Sequence, residues 1–128
     1  MSLNQIGLYI DRVFQGELFF EDFCNNATKL GVDRITNDLV RREHCFYGPK
    51  GDTYTHPYSF EPKFTISPHF DTEKLVASLK TTDNRQSTAI EFLAGAAEAG
   101  VASIHLFIPA RKIIYMGLQG DFYIEIWA

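Results

Sequence analysis

Displaced by 69 positions, the chain aligns with itself: residues 23–54 fall on 92–123 without a gap, and ten of the 32 positions are identical. Chance would give about two identities at average residue usage. The matches are Phe23/Phe92, Ala27/Ala96, Gly31/Gly100, Val32/Val101, Ile35/Ile104, Arg42/Arg111, Gly48/Gly117, Gly51/Gly120, Asp52/Asp121 and Tyr54/Tyr123. The same shift pairs Ile6 with Leu75, Ile10 with Leu79 and Leu39 with Ile108. An internal repeat restricts the fold to two similar units sharing a core. The 128 residues divide into repeats 1–59 and 70–128, joined by the connector 60–69, in a single domain.

The matched residues explain themselves physically. Phe20, Phe23, Cys24, Ala27 and Leu30 recur at helical spacing, as do Ala89, Phe92, Leu93, Ala96 and Ala99. Each stripe ends in Gly-Val. Gly at C′ takes the left-handed conformation without a Cβ penalty, and Val at C″ packs back on the Ala at C3. Upstream, Ser2-x-x-Gln5 and Thr88-x-x-Glu91 have the form of capping boxes. Helices are therefore predicted near 2–14, 17–30, 72–81 and 88–99. Beyond each Gly-Val the period changes to two: Ile104, Leu106 and Ile108 alternate with His105 and Phe107, and Phe122, Ile124 and Ile126 with Tyr123, Glu125 and Trp127. Gly48–Asp52 and Gly117–Asp121 read as three-residue hairpin loops with the second Gly at positive φ, and 40–42 and 109–110 as the preceding turns. Each repeat reads α-α-β-β-β, which makes the chain an α+β protein: antiparallel sheet packed against helices, with pseudo-twofold symmetry. The connector carries Pro62 and Pro68 and reads as extended.

Composition excludes several classes. With 12 basic and 16 acidic side chains the net charge is −4, and the pI near 5.5 argues against a nucleic-acid binder, which needs clustered Lys and Arg. No apolar run approaches the roughly 18 residues of a membrane helix, and no signal peptide opens the chain. Cys24 and Cys45 stand outside any CxxC spacing and read as reduced thiols of a cytoplasmic protein.

Gly31-Val32 after an aromatic helix, Phe46-Tyr47-Gly48 with Tyr54, Phe60-Glu61-Pro62 with Ile66, and Ala99-Gly100-Val101 followed by Tyr115 together resemble the YbcV-like domain family. Members of that family are often labelled phage envelope proteins, and the resemblance covers nearly the whole chain. It supports the fold and implies no catalytic residue. Where members tend to carry Trp and an acidic residue, this chain has Ile104 and Phe107.

Among residues able to do chemistry, His44 and His56 form the leading pair. If Gly48 pairs with Asp52, positions summing to 100 face each other, which sets His44 opposite His56 with Cβ atoms roughly 4.5–5.5 Å apart. Such a pair would share a proton or a metal ion, the latter with His69 or Asp71 supplied from the connector region. The His-x11-His spacing is no metal motif, and the second repeat has Ile113 and Glu125 at these positions. A structural pair is therefore the plainer expectation, with neither metal nor cofactor. Cys45 points to the opposite sheet face, and Cys24 sits on the helix stripe as a small core residue. Asp52 and Asp121 read as turn residues. Arg34, Arg41 and Arg42 make the first repeat polar, either as a solvated face or as a site for an anionic group.

The residues thus point to a cytoplasmic, non-enzymatic binding or interaction domain. Any ligand is expected where the halves meet, near Tyr54, Tyr58 and Phe60, with His44, His56 and Arg42 as the polar candidates. The alternatives are a small metal- or His-dependent enzyme using His44 and His56, and a phage-related structural component. The final strand is apolar on nearly both sides, so it is expected either at the sheet centre or at a subunit contact, which makes a homodimer the expected partner arrangement.

Overall fold

The computed structural model describes residues 3–83 and 87–127. Helices α1 (Ile6–Phe14) and α2 (Phe20–Lys29) precede strands β1 (Arg34–Asp38), β2 (Glu43–Tyr47) and β3 (Thr53–Pro57). Then come α3 (Thr72–Asp83) and α4 (Ala89–Glu98), followed by β4 (Val101–Phe107), β5 (Lys112–Gly117) and β6 (Phe122–Ile126). The six strands form one antiparallel sheet in the order β3-β2-β1-β4-β5-β6, so β1 and β4 pair at its centre. The chain is α+β, four helices against one sheet.

Burial alternates along the strands. Ile35, His44, Phe46, Leu106, Ile113 and Tyr115 point inward to meet Ile6, Phe23, Ala27, Leu75 and Leu93 from the helices. Phe60, Phe64, Ile66 and Phe70 of the connector region pack against the same core. Helices and connector therefore lie on one side, and the other face of the sheet is left open.

Local signals act where expected. Thr88 Oγ1 accepts from Glu91 N at 3.1 Å and the Glu91 carboxylate accepts from Thr88 N at 2.8 Å, a complete capping box. At the end of α2, Gly31 N donates to Thr28 O and Val32 N to Ala27 O, the paired bonds of a Schellman stop. Gly48 N donates to Asp52 O, and the register that follows sets His44 opposite His56. Two starts differ from expectation. The chain enters as a 3-10 turn at Leu3–Gln5, with Ile6 opening α1, and the proposed cap Ser2 lies outside the described residues. The second helix begins at Phe20 and not at 17, because Gly16 (φ 78°) turns the chain and Phe19 is extended.

Of the two places expected for the final strand, the sheet centre or a subunit contact, the sheet order removes the first. β6 is an edge strand, so its apolar character has nothing to do with a central position. Phe122, Ile124 and Ile126 are 62%, 42% and 72% exposed on the open face.

Candidate functional site

His44 and His56 are brought together between sheet and helix. His56 lies against α1 at Gly7, where an added Cβ would sit 2.6 Å from the ring Nδ1. One helical turn on, Asp11 Oδ1 stands 2.9 Å from His56 Nε2. A carboxylate can only accept, so Nε2 carries the proton, and in the neutral ring Nδ1 accepts the Tyr54 hydroxyl at 2.8 Å. Both nitrogens of His56 are thus held by the protein. His44 is 2% exposed, its ring 5.5 Å from that of Phe14 and 5.0 Å from that of Tyr58. Burial, and then the neighbouring His56, lower its pKa from 6.5 to about 3, so it stays neutral.

Tyr58 and Phe60 stack on Phe14, and the Tyr58 hydroxyl donates to Asn37 Oδ1. Burial, together with Asp38, raises the Tyr58 pKa above its ordinary range. Arg42 contributes its carbonyl, which accepts from Tyr58 N, while its exposed side chain stands in the β1–β2 turn at φ 61°. These aromatics belong to the layer made by α1, β2 and β3. Residues 1–59 and 70–128 meet along β1 and β4, and Tyr58 reaches that seam through its bond to Asn37 on β1.

The third ligand expected from the connector region is also displaced. Asp71 accepts from Lys74 N at the start of α3, and its own N–H donates to Ala99 O, while His69 O lies against Gly100. Asp11 is what stands beside His56. Among the described residues no three His, Cys, Asp or Glu side chains gather closely enough to hold a metal ion. The three arginines do not converge either. Arg41 pairs with Glu43 at 2.6 Å beside the turn, whereas Arg34 occupies the far end of β1. The cluster's evident capacity is to tie β3 to α1.

The open sheet face is the larger feature. Its strand registers align eighteen outward residues, three on each strand, into three rows. One outer row reads Thr53, Tyr47, Arg34, Phe107, Lys112, Ile126; the middle row reads Thr55, Cys45, Thr36, His105, Ile114, Ile124. The other outer row reads Pro57, Glu43, Asp38, Ser103, Met116, Phe122. The β5–β6 side is thus almost wholly apolar, one outer row carries cations, and the other carries carboxylates. Arg34 lays its guanidinium over the Tyr47 ring at 3.9 Å, in an open hollow of about 570 Å³ lined also by Pro49, Phe107 and Pro109. In the middle row His105 Nε2 is 2.9 Å from Ser103 Oγ, and Nδ1 is 3.4 Å from Thr36 Oγ1. Burial, then Arg34, lowers the His105 pKa. A smaller hollow of about 220 Å³ lies between α3 and α4, and its one charged residue, Glu91, is occupied in the capping box.

Asp11, Gly7 and the Ser103–His105–Thr36 group escape sequence reasoning. Gly7 and Asp11 do share a helical face at i, i+4, but their partner His56 is 45 residues from Asp11. Thr36 and His105 are separated by 69 residues, the displacement at which the sequence aligns with itself, and that number is the available signal. No protein-family model matches the chain, and no curated protein matches it.

Proposed function

We propose that this chain is a non-enzymatic interaction domain of YbcV-like type that works in the cytoplasm as a homodimer, its open sheet face covered by a second copy of the chain. One observation carries this reading: all four helices pack on one face of the sheet, and the other presents Ile114, Met116, Phe122, Ile124 and Ile126 together. Contiguous apolar surface of this kind marks interaction sites. The alternative of a His-dependent enzyme is disfavoured by the engagement of both His56 nitrogens and the burial of His44. The cytoplasmic setting is supported by Cys24 and Cys45, both free and on opposite sides of the sheet.

The reading includes a duplicated α-α-β-β-β unit with a pseudo-twofold axis. A twofold axis between β1 and β4 requires that the residues at its crossing be equivalent, and Thr36 pairs there with His105, its partner under the 69-residue shift. Related bonds support it: Tyr58 N donates to Arg42 O, and Trp127 N to Arg111 O, with Arg42 and Arg111 both at positive φ.

Light scattering on the purified chain is expected to give twice the 14.6 kDa of one chain. Ile124→Lys, which sets an ammonium in the middle row without touching the core, is expected to weaken the dimer by about 30-fold or more in Kd, near 2 kcal/mol, with an unchanged far-ultraviolet circular dichroism spectrum. Wild-type protein that holds the single-chain mass at high concentration overturns the reading.

A further inference from the structure

Resting on that reading of self-association, we infer that the two copies stack their open faces about a twofold axis running across the strands along the middle row, so that Arg34 of one copy meets Asp38 of the other. Face-to-face sheets lie about 10 Å apart with their strand directions within roughly 30°. Two in-plane axes satisfy that alignment. An axis parallel to the strands lays β6 over β3, sets the isoleucines against Thr53 and Thr55, and brings each charged row onto itself. An axis across the strands lays each strand over its own counterpart, reversed. The apolar β5–β6 columns then meet each other, and the row holding Arg34 faces the row holding Asp38 and Glu43.

Size requires the polar half to take part. Eighteen outward residues approach the roughly 20–30 per side of a standard interface, and the apolar half alone falls well short. The charges are placed for this role. Stacking on Tyr47 orients the Arg34 guanidinium, which makes no ion pair among the described residues. Asp38 uses Oδ1 to accept from Val40 N and Arg41 N, which fixes its carboxylate at the edge of the face. Like charges juxtaposed across an interface are strongly unfavourable, and opposite charges set the register.

Sedimentation equilibrium on charge-reversed full chains tests the arrangement. Arg34→Asp is expected to weaken the dimer by about 10-fold or more. Mixing it with Asp38→Arg is expected to restore association as a heterodimer, since each new charge then faces its opposite. Asp38→Asn added to Arg34→Asp keeps an oxygen for the β1–β2 turn and removes the repulsion, so partial recovery is expected even if Asp38→Arg fails to fold. A wild-type dimer indifferent to Arg34→Asp and to the mixture overturns the stacking geometry and leaves self-association standing. A monomeric wild type overturns both.

Discussion

Acidification from pH 6.5 towards pH 3 is expected to destabilise the fold by about 1.4 kcal/mol per pH unit through His44 alone, or about 3 kcal/mol by pH 4. In the unfolded chain this imidazole titrates near 6.5; folded, its burial at 2% exposure and its proximity to His56 hold it neutral down to about 3. Within that window the unfolded state binds a proton that the folded state does not, so stability rises with pH. Above 6.5 both forms are neutral and the effect is fully present as stability; below about 3 both are charged and the slope vanishes. Carboxylates titrate over part of the same range, so the informative quantity is the difference between wild type and His44→Leu. Urea unfolding at half-unit pH steps is expected to show a shallower slope in the variant between pH 6 and 4. Equal slopes would place the proton uptake elsewhere.

Gly100→Ala is expected to cost roughly 2–4 kcal/mol, and Gly31→Ala only about 1 kcal/mol, although both glycines end a helix at positive φ. The left-handed conformation penalises both, at φ 95° and 82°. The difference comes from the neighbours. An added Cβ at Gly31 meets nothing within 4 Å, whereas at Gly100 it would lie 2.3 Å from the His69 carbonyl oxygen and 2.8 Å from Phe70 Cα. Both contacts are backbone, so the connector and the start of α3 must shift to make room. At about 4 °C per kcal/mol for a chain of this length, calorimetry separates the two variants clearly.

This contrast also marks how far the sequence could be read. Gly31-Val32 and Gly100-Val101 announce the same local stop, because the Schellman bonds lie within six residues. The hairpin register of β2 and β3, and with it the pairing of His44 with His56, follows from the loop between Gly48 and Asp52 for the same reason. What makes Gly100 costly to replace is a segment of connector that folds back on it, and no local pattern encodes that approach. Likewise the polar partner of His56 is Asp11, delivered by packing α1 across β3. Alternation shows that β6 is apolar on both sides, but periodicity is blind to whether such a strand is central or at an edge. The sheet order decided it. Each loop constrained the strands it joins, and the tertiary pairing of β1 with β4 determined which side chains share a row.

Whether the open face is covered by a second copy is reported directly by Cys45. It stands in the middle row, partly exposed, with Thr55 Oγ1 donating to its sulfur at 3.7 Å. Cys24 is the other thiol, buried on the helix side, where desolvation raises its pKa to about 12 and keeps it silent to thiol reagents. The measurement is the rate at which a maleimide labels Cys45 as protein concentration rises. Face-to-face stacking predicts a rate that falls as the concentration passes through the dimer dissociation constant, and that stays fast throughout in Ile124→Lys. A Cys45 rate that is the same at every concentration, in protein that scattering shows to be dimeric, would contradict it and move the contact to a sheet edge.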